Sequence, residues 1–300
     1  MLKGLAITPP VIGRISIGRV VERNGNRLPE KDDQFTLTSQ VQNREGWVLH
    51  PLDEQLRRAA EGQKLRSIPV RMLFNDPALN MRADYSLFDR NSGRPRCVGN
   101  GETCRRMEKE GVVQHACPGP DTCAFAMGDC KAYARLNVVV GDGEDDALGS
   151  FVLRTTSFNT IRTIAARLQY FSAVSGDRLA CMPLELKLRG KSTTMSHRAA
   201  IFYVDLVVRS GLTLEQAIGE AREKVAQRKD SGFDQAALDE VALRGFANGA
   251  FEELEEDVPA VVEEFYPEAS PSSPEVPATN GTSVGLTGRL QDKVARMGTG

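Results

Sequence analysis

The 300-residue sequence has few of the side chains that do chemistry: three histidines (His50, His115, His197), one tryptophan and five tyrosines. None of the histidines stands in an H-E-x-x-H or H-x-E arrangement, so the ordinary helical zinc-protease and deaminase ligand sets are missing. There is no Walker phosphate loop and no G-x-S-x-G elbow, which removes two further enzyme classes. No apolar run approaches the roughly 18 to 20 residues that a membrane-spanning helix needs. The start, MLKGLAITPPVIGR, lacks the apolar core and small-residue cleavage site of a secretory signal, so a cytoplasmic protein is expected.

What is present is an ordinary globular composition, 41% hydrophobic and 26% charged with a mean hydropathy of -0.32, in a chain long enough to bury a core of its own. The net charge of -2 is unevenly spread. Residues 151–209 carry nine basic and three acidic side chains, whereas residues 210–300 carry eight basic and seventeen acidic ones. A basic middle and an acidic end suit contact with a polyanion or an acidic partner through one face. An ordinary solvated surface is the competing explanation.

Alternation in VIGRISIGRVVERNGNRLPEKDDQFTLTS, broken by Asn24, Gly25 and Pro29, predicts two strands and a turn. A short helix is expected over Asp53–Glu61, and strands at SIPVRMLF and ADYSLFD. After the Gly/Asp-rich GDGEDDALG come a strand at FVLRTTS and a helix over Asn159–Val174. Ile161, Ile164, Ala165, Leu168 and Phe171 form its buried face, with Arg162 and Arg167 outside it. MPLELKLRG and RAAIFYVDLVVRS read as two more strands joined by KSTTMSH. Thr213 and Gln216 form a capping-box pattern for a helix to Lys229, and a second helix is expected from Asp234 toward Glu255, ending in the acidic run EELEED. The fold class is therefore α+β, with mixed or antiparallel sheets, an inserted cysteine-rich knuckle and a helical C-terminal region. Three segments follow: a core over 1–209, helices over 210–266, and a Pro/Ser-rich tail over 267–300 that is too polar to repay its ordering.

Five of the six cysteines crowd into residues 97–130: Cys97-x6-Cys104, then Cys117-x5-Cys123-x6-Cys130, with His115 close by. Glycines and prolines at Gly99, Gly101, Pro118 and Gly119 supply turns that let sulfurs converge. Soft ligands at this density predict a structural zinc ion, with an iron-sulfur cluster second and unliganded buried thiols third. The spacing is looser than the C-x2-C of a zinc ribbon. Five thiols exceed four tetrahedral positions; Cys97, Cys117 and Cys130 lead, Cys104 and Cys123 compete for the last place, and His115 is the outsider. A closed thiolate site is a poor activator of water, which argues against a metal hydrolase. Cys181, alone in an apolar stretch, reads as a core residue. Among the cations, Arg154, Arg162, Lys187, Arg189, Lys191 and Arg198 are the candidates for nucleic-acid or partner contact; those of LKLRGKSTTMSHR mix charges and hydroxyls suited to phosphate oxygens.

GRISIGR, DDQFTLTS, Trp47, CKAYARLNVVV and GSFVLRTTSFNTI together resemble the phage recombination directionality factors that partner large serine integrases. The resemblance spans roughly residues 10 to 209. It implies a non-enzymatic accessory factor that binds an integrase and switches it from integration toward excision. It also implies metal ligation by Cys97, Cys117 and Cys130 with either Cys104 or Cys123. The extra cysteines and the acidic C-terminal helices depart from the shorter phage proteins, and these departures leave room for a partner other than a serine integrase. A sequence-independent DNA-binding protein of phage or plasmid replication is the alternative function, and a metal hydrolase the third. No internal repeat is present.

Overall fold

Alternation of apolar and polar residues at the N-terminus becomes two long antiparallel strands, β1 (Val11–Arg23) and β2 (Asn26–Asn43), paired from Gly13 opposite Ser39 to Arg23 opposite Asn26 with a shift of register between Ile17 and Arg19. The computed structural model describes residues 10–23, 26–43, 46–141, 149–192, 200–246 and 258–266. The turn at Asn24 and Gly25, most of GDGEDDALG, the link around His197 and Arg198, the acidic run of 252–257 and the tail over 267–300 lie outside the described residues. Pro29, expected in the turn, instead pairs with Val20 inside the ribbon.

β3 (Gly46–Leu49) pairs with β2 and brings Trp47 under Arg14, whose guanidinium carbon lies 3.4 Å from the ring centroid. Helix α1 (Pro51–Ala59) forms two residues earlier than the expected Asp53–Glu61, with Pro51 as its first residue. His50 is its N-cap and accepts from the Leu52 amide through Nδ1, so this histidine caps a helix. The buried Asp53 accepts from Leu37 N and from Arg57, tying α1 to β2. β4 (Ser67–Arg71) leads through α2 (Pro77–Asn80) into β5 (Met81–Phe88). Asn80, fully buried, fixes that connection: its carbonyl accepts from Leu73 N and Phe74 N, and its amide donates to Phe74 O and Asp76 O.

Three further strands, β6 (Pro95–Gly99), β7 (Thr103–Glu108) and β8 (Gly111–Ala116), precede β9 (Lys131–Val140) and β10 (Ser150–Thr155). The strand order is β3-β2-β1-β10-β9-β5-β6-β7-β8. All these pairs are antiparallel except β1 with β10. β11 (Leu184–Ser192) and β12 (Ala200–Val208) form a hairpin joined to this sheet through β4, which pairs with both β11 and the far end of β9. The chain is thus a mixed α+β fold with a large, mostly antiparallel sheet.

Helix α3 (Phe158–Ser175) is capped by Ser157 and stopped by Gly176 in the left-handed conformation, φ 63°. It buries Ile161, Ile164, Leu168 and Phe171 as its spacing requires, while Ala165 is exposed. Thr160 Oγ accepts from Val204 N, so α3 covers the open edge of β12. The main core lies between this helix and the sheet face bearing Ile15, Leu136 and Leu153, and it includes the 2%-exposed Cys181. Helix α4 (Leu214–Asp230) shows both halves of the capping box at Thr213 and Gln216, and it adds Ala217 and Ala221 to the same core. Helix α5 (Gln235–Phe246) follows, and α6 (Val258–Phe265) is one helix that the sequence pattern did not separate.

Glu185, 4% exposed on β11, accepts from Ser210 N and Oγ and from Lys187. Burial acts to raise its pKa, but these donors together hold it below the ordinary glutamate value. A depressed carboxylate stabilises the fold above its unfolded pKa and loses that contribution as pH falls through the folded one. Glu185→Gln is expected to cost about 1–3 kcal/mol at pH 7, with the gap from wild type closing toward pH 3; urea midpoints at both pH values measure it.

Candidate functional site

The cysteine segment is built into the sheet rather than inserted beside it, because β6, β7 and β8 continue outward from β5. Two tight turns make this register. Asn100 Oδ1 accepts from Glu102 N and Thr103 N around Gly101, φ 97°, and Gly111, φ 127°, closes the turn between β7 and β8. Gly99 sits opposite Cys104, Cys104 opposite His115, and Cys97 opposite Arg106. Alternation places these residues on one face. Cys117 follows β8 and is tied down by its amide, which donates to Glu102 O. The loop from Cys117 to Cys130 then carries Cys123 back toward the same edge before β9 begins.

All six thiols are free. Burial pushes the Cys97 thiol up to about 12, aided by the neighbouring Cys104 and opposed by Arg106. Burial likewise pushes Cys130 up to about 11, and proximity to Cys123, Cys117 and Cys104 adds to it. Thiolates crowded in this way repel one another unless a cation is shared among them. In donor chemistry the set suits zinc or an iron-sulfur cluster. Among the described residues, however, no three Cys, His, Asp or Glu side chains are arranged to hold an ion. His115 is turned to Glu108, with Nε2 2.7 Å from the carboxylate. Phe125, in the loop, lies under Arg106, whose guanidinium carbon is 3.8 Å from the ring centroid, with Arg96 at 5.5 Å.

The cations singled out from sequence do not share one surface. Lys187, Arg189 and Lys191 follow each other on one face of β11. Lys187 pairs with Glu185 at 3.3 Å, and Arg189 with the buried Asp205 at 3.3 Å, which also accepts from Arg167. Lys191 is exposed at the outer end of the hairpin near the 45%-exposed Ile201. Arg162 is exposed on the outer side of α3. Arg198 lies outside the described residues.

Arg154 belongs to a different group. It stands opposite Arg135 on β9, which stands opposite Arg82 on β5, so three guanidinium groups form a row across three strands. Their neighbours Leu153 and Leu136 point into the main core, so the row occupies the opposite face. Like charges directly opposite one another destabilise a sheet, and Asp84, which accepts from Arg82 Nε at 3.2 Å, offsets part of this. Burial lowers the Arg82 pKa, Asp84 works against that, and Arg135 and Arg105 add to it. Sequence reading missed Arg82 and Arg135 because strand register, which alone brings them beside Arg154, leaves no mark in local spacing.

A large, mostly antiparallel sheet whose outer strands carry the cysteines, with α3 and α4 on the main core and α6 on the face that bears the arginine row, defines an α+β protein. Residues 12–209 match the Gp3-like family, described as recombination directionality factor-like, and the chain belongs to that family. No curated protein and no solved structure matches it. No described helix is long and apolar enough to cross a membrane.

The close approach at Gly99 gives a test of how the sulfurs are gathered. A Cβ there would lie 2.6 Å from Cys104 Cβ and 3.0 Å from Cys117 Sγ. Gly99→Ala is expected to push β6 away from these thiols and cost about 1–3 kcal/mol, read as a lowered melting temperature, together with faster alkylation of Cys104 by a small maleimide.

Proposed function

We propose that the chain is a non-enzymatic accessory factor of a phage or other mobile element, one that binds a site-specific recombinase and biases it toward excision. The observation that carries this reading is the family match over residues 12–209, which takes in the whole cysteine-bearing edge, the arginine row and the β11–β12 hairpin. The fold offers it a broad surface of strands, the kind of surface through which proteins engage other proteins. A structural zinc ion held by four of Cys97, Cys104, Cys117, Cys123 and Cys130 completes the proposal. It would neutralise the crowded thiolates and fix the Cys117–Cys130 loop against the sheet.

Direct DNA binding is the weaker reading on this hairpin, because Lys187 and Arg189 already face Glu185 and Asp205. The recombination test uses the purified chain with the cognate recombinase. Excision should rise and integration fall on its addition, and unchanged ratios of the two products would refute the role. Lys191→Glu should weaken recombinase binding several-fold while leaving metal content intact.

The metal is tested separately. Elemental analysis of anaerobically purified protein should find one zinc per chain. Cys117→Ser or Cys130→Ser should lose it and lower the melting temperature, since binding energy at a structural site is folding energy. A metal-free wild type with an unchanged melting temperature in the serine variants would remove zinc from the proposal.

A further inference from the structure

Five thiols compete for four positions, and strand register decides among them. The partners of Cys104 on β7 are Gly99 on β6 and His115 on β8. Cys97 stands opposite Arg106, two residues to one side of Cys104, while Cys117 is tied by its amide to Glu102, two residues to the other side. Cys97 and Cys117 are therefore four residues apart along the strand direction, about 13 Å at the ordinary strand rise. Two sulfurs on one tetrahedral zinc ion lie only about 3.8 Å apart, as bonds of about 2.3 Å require. Cys104 can share an ion with one of these flanking thiols without distorting the sheet, but not with both.

Contacts among the thiols choose Cys117. Its Sγ lies 3.0 Å from where a Cβ on Gly99 would stand, so the side chain leans back over the glycine that faces Cys104. The loop then delivers two more sulfurs. Pro120–Thr122 forms a turn of 3-10 helix just before Cys123, held by Thr122 Oγ1 donating to Pro118 O at 2.8 Å. Ahead of Cys130, Met127 and Gly128 both take the left-handed conformation, φ 46° and 91°, and Asp129 N donates to Ala126 O. Met127 is 89% exposed, so packing of its side chain does not repay a backbone that favours glycine. What the turn achieves is the return of Cys130 to the cluster, where its thiol neighbours are Cys123, Cys117 and Cys104. Cys97 instead has Cys104 as its thiol neighbour, with Arg106 as its other hydrogen-bond partner.

We infer that Cys104, Cys117, Cys123 and Cys130 are the four zinc ligands, and that Cys97 is a fifth thiol that hydrogen-bonds Cys104 from outside the set. This assignment rests on the zinc of the proposed function. It replaces Cys97, a leading candidate from sequence, with the two thiols that competed for the last place. Among the described residues no three side chains stand ready to hold an ion, so loading draws the loop inward toward Cys104. Zinc with four thiolates is doubly negative. Arg106, bonded to Cys97 and stacked on Phe125 of the loop, supplies charge of the opposite sign beside it.

Zinc affinity and sulfur count, measured on the full-length chain purified anaerobically, test the ligand set. Cys97→Ser should keep one zinc per chain with an affinity within about ten-fold of wild type, because serine retains a hydroxyl donor toward Cys104. Its zinc K-edge absorption should report four sulfurs at about 2.3 Å. Cys104→Ser and Cys123→Ser should each weaken zinc binding by at least about a hundred-fold, read by competition with a chelator. Loss of zinc from Cys97→Ser, or full zinc retention by Cys123→Ser, would overturn the assignment. Should the Cys104 and Cys123 variants not fold, the absorption spectrum of Cys97→Ser decides alone: a count that falls from four sulfurs to three places Cys97 among the ligands and ends the proposal. Wild-type protein that holds no zinc counts against the zinc of the proposed function and takes this assignment with it, whereas zinc held by a different four thiols counts against the assignment alone.

Discussion

Everything else in this molecule depends on β9 being paired along both sides. One side holds β10 from Ala134 to Val138; the other holds β5 from Lys131 to Leu136 and then β4 at Val139 and Val140. The strand is therefore the point at which the large sheet divides, one branch running out through β5 to the cysteines and the other turning through β4 into the β11–β12 hairpin. Such a strand must satisfy its backbone on both edges and bury one face throughout. Ala134, Leu136, Val138 and Val140 do so, all at 8% exposure or less. Its first residue follows Cys130, so the last thiol of the cluster is fixed in place by the most constrained strand in the fold.

The two faces of β9 do different work. Toward α3 it contributes to the main core; on the reverse it carries Arg135 in the middle of the arginine row and Tyr133 in the groove under α6. A row of guanidinium groups in register is a cost that the packing of the other face must offset, and it survives because register is set by the buried alternation. The cysteine edge shows the same logic. Thiols that raise one another's pKa are held together by strand pairing at Gly99 and Cys104 and by the amide of Cys117, so their convergence owes more to hydrogen-bonded backbone than to the sulfurs themselves.

Local pattern was enough for the elements with strong periodicity. α3 and α4 lie within a residue or two of where helical spacing and the Thr213–Gln216 box put them, and β1 and β2 form as alternation indicated although β2 takes in Pro29 and runs on to Asn43, because each of those signals is set by neighbours a few residues away. Ala165 was misjudged for the opposite reason. Its spacing matches the buried face of α3, but what an alanine meets there is decided by α2 and β5, which are distant in sequence. The strands β6 to β8 were hidden by their own composition, since Cys104, Arg105, Arg106 and His115 resemble ligand and loop residues more than a pleated surface. Among the candidate cations, Lys187 and Arg189 were legible as charges but not as charges facing Glu185 and Asp205. The Arg189–Asp205 pair crosses from β11 to β12 and so belongs to register, which single-chain spacing does not encode, whereas Glu185 lies two residues before Lys187 on the same strand.

The groove under α6 brings these threads to one question, which is why a helix beyond the family segment should be seated so specifically. Burying Val261 and Phe265 needs only an apolar patch, but the Thr156 amide and the Lys131 ammonium each select a feature of a helix: a carboxylate on its last turn and an open carbonyl at its end. Burial raises the Glu264 pKa to about 7, with the Thr156 donors and Lys131 working against that rise, so the carboxylate is a costly group to place there. An apolar side chain at that position would leave the Thr156 amide and hydroxyl without their acceptor, so the cost of burying the acid is offset by the donors it satisfies.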